Sequence, residues 1–282
     1  MPKKKLNRPM IAFQGERGAY SELAARRLFP RDPQLSPCQT FDLVFQKVDR
    51  GEVDFGVIPI ENSLAGSIHQ NYDLLLRYDL QILGELNQRI VHNLIAHPAA
   101  TLPKIRRVYS HPQALMQCQR NLSRFKNIEV IPTYDTAGSV KKIKEEDIFD
   151  GAAIASTLAA EIYGMKILKS QIQDDPENFT RFLVLGQKTT IPKRADKTSV
   201  VFSVQNIPGA LFRALSVFAL RDIDLYKIES RPLYGKPWEY LFYIDFAGSE
   251  GDAKCRHALQ HLNEVASFWR VLGSYQRDEQ TA

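Results

Sequence analysis

Met10-Ile11-Ala12-Phe13 is a short apolar run that breaks into Gln14-Gly15-Glu16-Arg17-Gly18-Ala19-Tyr20-Ser21 and then into a helix-like stretch through Leu28. That pattern predicts a strand, a glycine-containing turn and a helix. Phe41, Val44, Phe45 and Val48 fall at i, i+3, i+4 and i+7, so an amphipathic helix is expected over 42–50, stopped by Gly51. Val53 to Ile60 reads as an apolar strand that ends in Pro59-Ile60-Glu61-Asn62-Ser63. The same grammar recurs where Arg107-Val108-Tyr109 reaches Ser110-His111-Pro112-Gln113, where Glu129-Val130-Ile131-Pro132 leads to Asp135-Thr136-Ala137-Gly138, and where Ala152-Ala153-Ile154-Ala155 leads to Ser156-Thr157. Strands alternating with helices imply an α/β fold built on parallel sheets with covered faces. The alternation starts afresh over about 92–164 before the chain returns through Phe179 to Gly186, which predicts two lobes with a cleft between them, about 9–91 with 165–187 and about 92–164.

From Gly186 to Thr198 the sequence is polar and basic, holds Pro192 and has no hydrophobic period, so 188–198 is expected to be a linker after a catalytic domain over 9–187. Beyond it lie a strand at Ser199 to Val204 and a helix opened by Asn206 and Pro208, with Leu211, Leu215 and Phe218 on one face. A strand around Ile223 to Glu229, an alternating strand at Tyr240 to Phe246, a helix at about His257 to Phe268 and a strand near Val271 to Tyr275 follow. The order βαββαβ over 199–276 is the ferredoxin-like arrangement.

With 282 residues, 44% hydrophobic and 24% charged, the chain has the balance of a globular protein of two or three compact units. The net charge of +5 includes Lys3, Lys4 and Lys5 ahead of Pro9; the remaining charge is mixed in sign and no basic stripe interleaved with aromatics follows. No nucleic-acid partner is expected, while a modest positive balance suits an anionic substrate. Cys38, Cys118 and Cys255 are widely spaced, which argues against a disulfide framework and a zinc site and for reduced thiols in the cytoplasm. No apolar run approaches the length of a membrane span, and no apolar region follows the lysines as in a secretory signal.

No G-x-G-x-x-G follows a strand, and there is no Walker loop, zinc-protease helix or G-x-S-x-G elbow. The six histidines do not cluster in ligand spacing, so neither a metal nor an organic cofactor is expected. The polar strand-end turns remain, and in open α/β sheets ligands bind at such turns. Gly15, Gly18 and Ser21 surround a helix start whose free N–H groups favour a carboxylate, although an ordinary capped turn has the same composition. Glu61-Asn62-Ser63 sets an acid, an amide and a hydroxyl just past a buried strand, where a solvated turn is the competing reading. Ser110 and Ser156 open helices and can equally be N-caps. In Asn178-Phe179-Thr180-Arg181-Phe182, Arg181 can pair with a substrate carboxylate and Thr180 can present a hydroxyl to a departing group, or the two can be plain strand residues.

The blocks Gln14-Gly15 through Ala19-Tyr20-Ser21, Pro59-Ile60-Glu61-Asn62-Ser63, Ser110-His111-Pro112-Gln113-Ala114-Leu115, Asp135-Thr136-Ala137-Gly138, Asn178-Phe179-Thr180-Arg181-Phe182, Gly209-Ala210-Leu211 and Glu229-Ser230-Arg231-Pro232 change this balance. In this order, from about Ile11 to Tyr275, the chain resembles the short bacterial prephenate dehydratases and the closely similar arogenate dehydratases of plants. The resemblance implies two lobes like those of periplasmic binding proteins, a catalytic cleft between them, and an appended ACT domain that binds phenylalanine. It further implies decarboxylating dehydration of prephenate to phenylpyruvate in L-phenylalanine biosynthesis, without a cofactor and under feedback by L-phenylalanine, with arogenate as the alternative substrate.

Thr180 stands where the family requires a threonine for activity, and Glu61, Asn62, Ser110 and Gln117 match positions in or near the cleft. Gly15, Ser21, Ser63, His111, Ser156, Arg181 and Phe182 are expected to contact substrate. Gly209, Ala210, Leu211, Glu229, Ser230, Arg231 and Pro232 are expected to form the phenylalanine site. Ala19 stands where many relatives have threonine, so no hydroxyl chemistry is assigned there. ACT domains commonly pair across subunits, so a homodimer or homotetramer is expected. The first strand lies close to residue 1, which gives the expectation that the chorismate mutase module fused to some relatives is absent. A non-catalytic amino-acid sensor of the same architecture is the rival reading, and it has no need of the Thr-Arg-Phe block.

Overall fold

The computed structural model describes residues 8–125, 127–188, 191–192 and 194–278; Lys3 to Lys5 and, within the expected linker, residues 189, 190 and 193 lie outside them. The chain begins with β1 (Met10–Gln14), α1 (Tyr20–Leu28), β2 (Gln34–Cys38), α2 (Phe41–Asp49), β3 (Phe55–Asn62), β4 (Gly66–Ser67), α3 (His69–Arg77) and β5 (Gln81–Arg89). It continues through β6 (Asn93–Ala96), β7 (Arg107–Ser110), α4 (Pro112–Gln117), α5 (Gln119–Leu122), β8 (Glu129–Pro132), α6 (Thr136–Glu145), β9 (Gly151–Ala155), α7 (Thr157–Tyr163), β10 (Lys166–Lys169) and β11 (Phe179–Gly186). The last elements are β12 (Lys197–Ser203), α8 (Ala210–Ala219), β13 (Leu225–Pro232), β14 (Tyr240–Ala247), α9 (Ala253–Val265) and β15 (Phe268–Tyr275).

The first sheet has the order β2-β1-β3-β11-β5, with β4 paired to β3. β1 runs parallel to both β2 and β3, and its fully buried Ile11, Ala12 and Phe13 are the apolar run of a strand covered on both faces. Thr40 caps α2 by accepting from Leu43 N at 3.2 Å, and Val44, Phe45 and Val48 form the buried face that their spacing predicts.

The second sheet has the order β10-β6-β9-β7-β8 and is mixed. Helical crossovers make β7 parallel to β8 and to β9. β6 enters from β5 without a crossover helix and runs antiparallel to β9 and β10, so the expected parallel sheet is only part of the arrangement. Gly164, at φ +66°, turns the chain out of α7 so that β10 extends this sheet past the lobe boundary expected near 164. Alternate residues of β9 feed two cores: Ala153 and Ala155 pack with α6 and α7, whereas Ala152 and Ile154 pack with α4.

The third sheet is antiparallel with the order β13-β14-β12-β15, and its βαββαβ sequence of elements is ferredoxin-like. Phe202, Phe218 and Phe246 centre its core, and β12 opens at Lys197, two residues inside the expected linker. α9 begins at Ala253, ahead of the expected His257, and the chain leaves it before Phe268, which opens β15.

Contacts divide the chain into two compact units. One holds the chain up to Ile68 together with Asn87–Phe182; the other holds His69–Leu86 together with the residues from Leu183 onward. The sequence division placed α3 in the first lobe, whereas by contacts α3 groups with the C-terminal elements. Among the described residues no helix is long and apolar enough to cross a membrane.

Candidate active site

Within the first unit, strand-end turns of both sheets meet around a cleft of about 250 Å³. Gln14, Ala19, Tyr20 and Ser21 reach it from the β1–α1 turn, Pro59 and Asn62 from β3, Thr180 and Phe182 from β11. Facing them are His111, Gln113, Ala114 and Gln117 at α4 and Asp135 and Thr136 at the start of α6. Phe41, Ile68, Ile90 and Phe182 give the wall an apolar share. Among the described residues that line it, none is a lysine or an arginine, and Asp135 is the one acid.

The β1–α1 turn is tied to the second sheet's helices. Glu16 N donates to Asp135 Oδ2 at 2.6 Å, and Ser156 Oγ donates to Gly18 O at 2.6 Å while capping α7 through Ala159 N. Gly18 has φ +91°, and a Cβ there would stand 2.6 Å from Ala159 Cα, so glycine is required both by conformation and by close approach. Burial raises the Asp135 carboxyl above its ordinary value, against the backbone N–H bonds from Glu16 and Ala137 that favour its charged form. Ala19 sits at the N-cap of α1 without a side-chain acceptor, so the first-turn N–H groups of Tyr20 and Ser21 belong to the set that a helix leaves unpaired, on a turn that lines the cleft.

Hydrogen-bond chemistry orients a network of amides at the other wall. Leu64 N and Ala65 N donate to Asn62 Oδ1 at 3.1 and 3.0 Å, which fixes that atom as the oxygen. Asn62 Nδ2 is therefore the donor, its two protons shared among Asn178 Oδ1 at 2.7 Å, Phe179 O at 2.9 Å and Thr180 Oγ1 at 3.0 Å. Gln117 Nε2 donates to Asn62 Oδ1 at 3.2 Å, and Gln117 Oε1 accepts from Asn178 Nδ2 at 3.0 Å. Thr180 Oγ1 thus accepts from Asn62, and its own proton remains to be given to a group in the cleft.

Strand alternation separates residues that sequence expectation had grouped. Asn62, Thr180 and Phe182 face the cleft, whereas Glu61 and Arg181 point to the opposite face and pair with each other at 3.3 Å. Neither Arg181 nor Glu61 is among the residues that line the cleft. Ser110 is also turned away: it is fully buried and donates to Ile154 O at 2.7 Å, while His111, not Ser110, caps α4. Ser63 joins the β3 end to the segment before β11, accepting from Phe179 N at 3.0 Å and donating to Glu177 O at 2.9 Å. Ser156 acts on the turn through Gly18, and Gly15 approaches Asp135 closely; neither lines the cleft, whereas Ser21, His111 and Gln117 do.

Sequence reasoning did not single out Tyr20 or His92 as functional. Tyr20 OH lies 2.8 Å from His92 Nδ1, and His92 Nε2 lies 2.9 Å from Gln117 Oε1. Their partners are far apart along the chain, and only Tyr20's place in the first motif block hinted at a role.

In the second unit, Gly209, at φ +79°, precedes α8, with Ala210 and Leu211 packed on the core. β13 alternates, so Glu229-Ser230-Arg231-Pro232 does not present one face. Ser230 pairs with Phe242 of the α8-covered face, whereas Glu229 and Arg231 turn to the other face. There Glu229 meets His69 at 3.2 Å, Arg231 meets Asp73 at 2.9 Å, and Tyr243 OH donates to Tyr72 O at 2.9 Å.

The prephenate dehydratase family model matches residues 11–190. A chloroplastic arogenate dehydratase/prephenate dehydratase of Arabidopsis thaliana is 49% identical over 96% of this chain and 74% of its own length. A prephenate dehydratase from Arthrobacter aurescens, solved with L-Phe, is 33% identical with a TM-score of 0.90 over 97% of this chain and 92% of that one. A structure described as a novel type of quorum-quenching acylase is likewise 33% identical, with a TM-score of 0.88 over 96% of this chain and 98% of that one.

Proposed function

The chain belongs to the prephenate dehydratase family, and on that premise we propose that it converts prephenate to phenylpyruvate, carbon dioxide and water, with Thr180 as proton donor. The observation that carries this reading is the Asn62–Thr180 contact, which uses one lone pair of the threonine oxygen and leaves its proton for the leaving hydroxyl. In the reaction the bond to the expelled carboxylate breaks, its electron pair enters the ring, and the ring hydroxyl leaves with one added proton as water. Aromatisation supplies the driving force, so the protein's tasks are orientation, exclusion of water and delivery of that proton. A threonine hydroxyl is a weak acid, so Thr180 relays a proton or donates a strong hydrogen bond as the oxygen departs.

No cationic side chain lines the cleft among the described residues. The substrate's carboxylates are accordingly assigned to the backbone N–H groups at the start of α1, with the side chains of Ser21 and Gln113 beside them. Phe41, Ile90 and Phe182 would surround the carboxylate to be expelled with apolar surface, which disfavours its charged ground state.

Arogenate is the second reading, because Asp135 offers a carboxylate to the ammonium that replaces the keto oxygen. Acyl transfer needs a nucleophile held by a base, and in this cleft His92 is engaged by Tyr20 and Gln117 and His111 by Gln113 N. Catalytic residues 9–187, a linker at 188–198 and a phenylalanine-reading ACT domain over 199–276 complete the proposal, in a cytoplasmic homodimer or homotetramer. Side-by-side turnover of prephenate and arogenate tests it: faster phenylpyruvate formation is expected, and turnover of arogenate alone, or of neither, would overturn it.

A further inference from the structure

Backbone donors at Leu64 and Ala65 fix the oxygen of Asn62, and the consequence propagates outward. Because Asn62 Oδ1 is an acceptor, Gln117 must turn its NH₂ toward it, so Gln117 Oε1 faces His92. An amide oxygen only accepts, so His92 Nε2 must carry a proton. A neutral His92 then has a bare Nδ1, and the Tyr20 hydroxyl at 2.8 Å is the donor available to it. The same hydroxyl reaches Val91 O at 2.8 Å, the alternative acceptor for its single proton.

We propose that Tyr20 and His92 are positioning residues that clamp Gln117 against Asn62, reinforcing the polarity that Leu64 N and Ala65 N set and that leaves the Thr180 proton free. Donors point one way along His92, Gln117, Asn62 and Thr180, and hydrogen bonds in such a chain polarise one another. Without the His92 donor, Gln117 Oε1 keeps only Asn178, and Gln117 is held less firmly against Asn62. The inference rests on Thr180 being the donor of the proposed reaction. Burial supports the neutral imidazole, since it lowers the proton affinity of His92, and burial likewise keeps Tyr20 a phenol.

The test compares His92→Gln with His92→Leu in prephenate turnover and reads the His92 tautomer in the wild-type protein by ¹H–¹⁵N NMR. A glutamine amide can replace the Nε2–H donor, and leucine cannot. The expected result is an Nε2–H tautomer at neutral pH, a kcat loss of about tenfold or more in His92→Leu with KM changed less than about threefold, and most of kcat recovered in His92→Gln. An Nδ1–H tautomer, or His92→Leu matching or exceeding His92→Gln as simple packing would have it, overturns the proposal. Thr180→Val separates the two levels. If it is inactive while His92→Leu turns over normally, the positioning role alone fails; if it retains turnover, the assignment of Thr180 fails and the positioning role with it.

Discussion

Asn62 Nδ2 and Thr180 Oγ1 lie 3.0 Å apart across the neighbouring strands β3 and β11, 118 positions apart in the chain. Asn62 holds the threonine oxygen by a donated hydrogen bond, so replacing Asn62 by aspartate reverses the polarity at that atom. An ionised carboxylate in place of the amide would accept a hydrogen bond from the Thr180 hydroxyl and turn its proton away from the leaving group. Asn62→Asp is expected to lower kcat by about 100-fold or more, as loss of a positioned acid does, and steady-state kinetics would reveal it.

Glu61 should behave as a structural acid. It pairs with Arg181 on the face away from Thr180, so Glu61→Gln is expected to leave the shape of the pH–rate profile intact and to lower kcat by less than about tenfold. Loss of one limb of the profile in this variant would return Glu61 to the chemistry.

Gly18 is the point of closest approach between the β1–α1 turn and α7. A methyl group there would collide with Ala159 Cα at 2.6 Å and force an L-residue to φ +91°. Gly18→Ala is expected to cost about 1–3 kcal/mol in urea unfolding, with a parallel loss of activity as the first turn of α1 shifts.

Stability should carry the imprint of buried His92. Its folded-state pKa is lowered by burial, so below about pH 6.5 the unfolded chain takes up a proton that the folded chain resists. The unfolded state then binds more protons, and the stability fully present above that pH is lost as pH falls toward the folded value. Urea midpoints at pH 8 and pH 5.5 should therefore differ more in the wild type than in His92→Gln.

In the second unit, Arg231 makes a two-contact pair with Asp73 of α3 at 2.9 and 3.3 Å, partly exposed to solvent and so weak in itself. If β13 takes part in reading phenylalanine, Arg231→Ala should raise the phenylalanine concentration needed for half inhibition by about tenfold, measured in the prephenate assay. An unaltered inhibition curve would remove Arg231 from the effector site.

The strand-turn-helix grammar made the architecture legible, because β1, β3, β7 and β9 are buried strands whose apolar runs stand out against polar turns. The cleft side of the site was legible in part: Asn62, Gln117 and Thr180 lie on it together. Arg181 and Glu61 fall outside the cleft lining, since a motif read as a block ignores the period of two that sends neighbouring side chains to opposite faces. Ser110 lies outside the lining for a related reason, because a hydroxyl beside a helix start can turn inward to a strand carbonyl as easily as into a cleft. His92 owes its place to a partner from another element, Gln117, that no local pattern marks. β10 escaped because its partner is β6, which lies earlier in the chain than the intervening β9.

Turnover of prephenate by the wild type and by Thr180→Val, followed as phenylpyruvate formed under saturating substrate, tests the account most directly. The expected result is rapid phenylpyruvate formation by the wild type and a kcat at least about 100-fold lower in Thr180→Val, with the variant still folded. Near-normal phenylpyruvate formation by the folded variant would contradict the account.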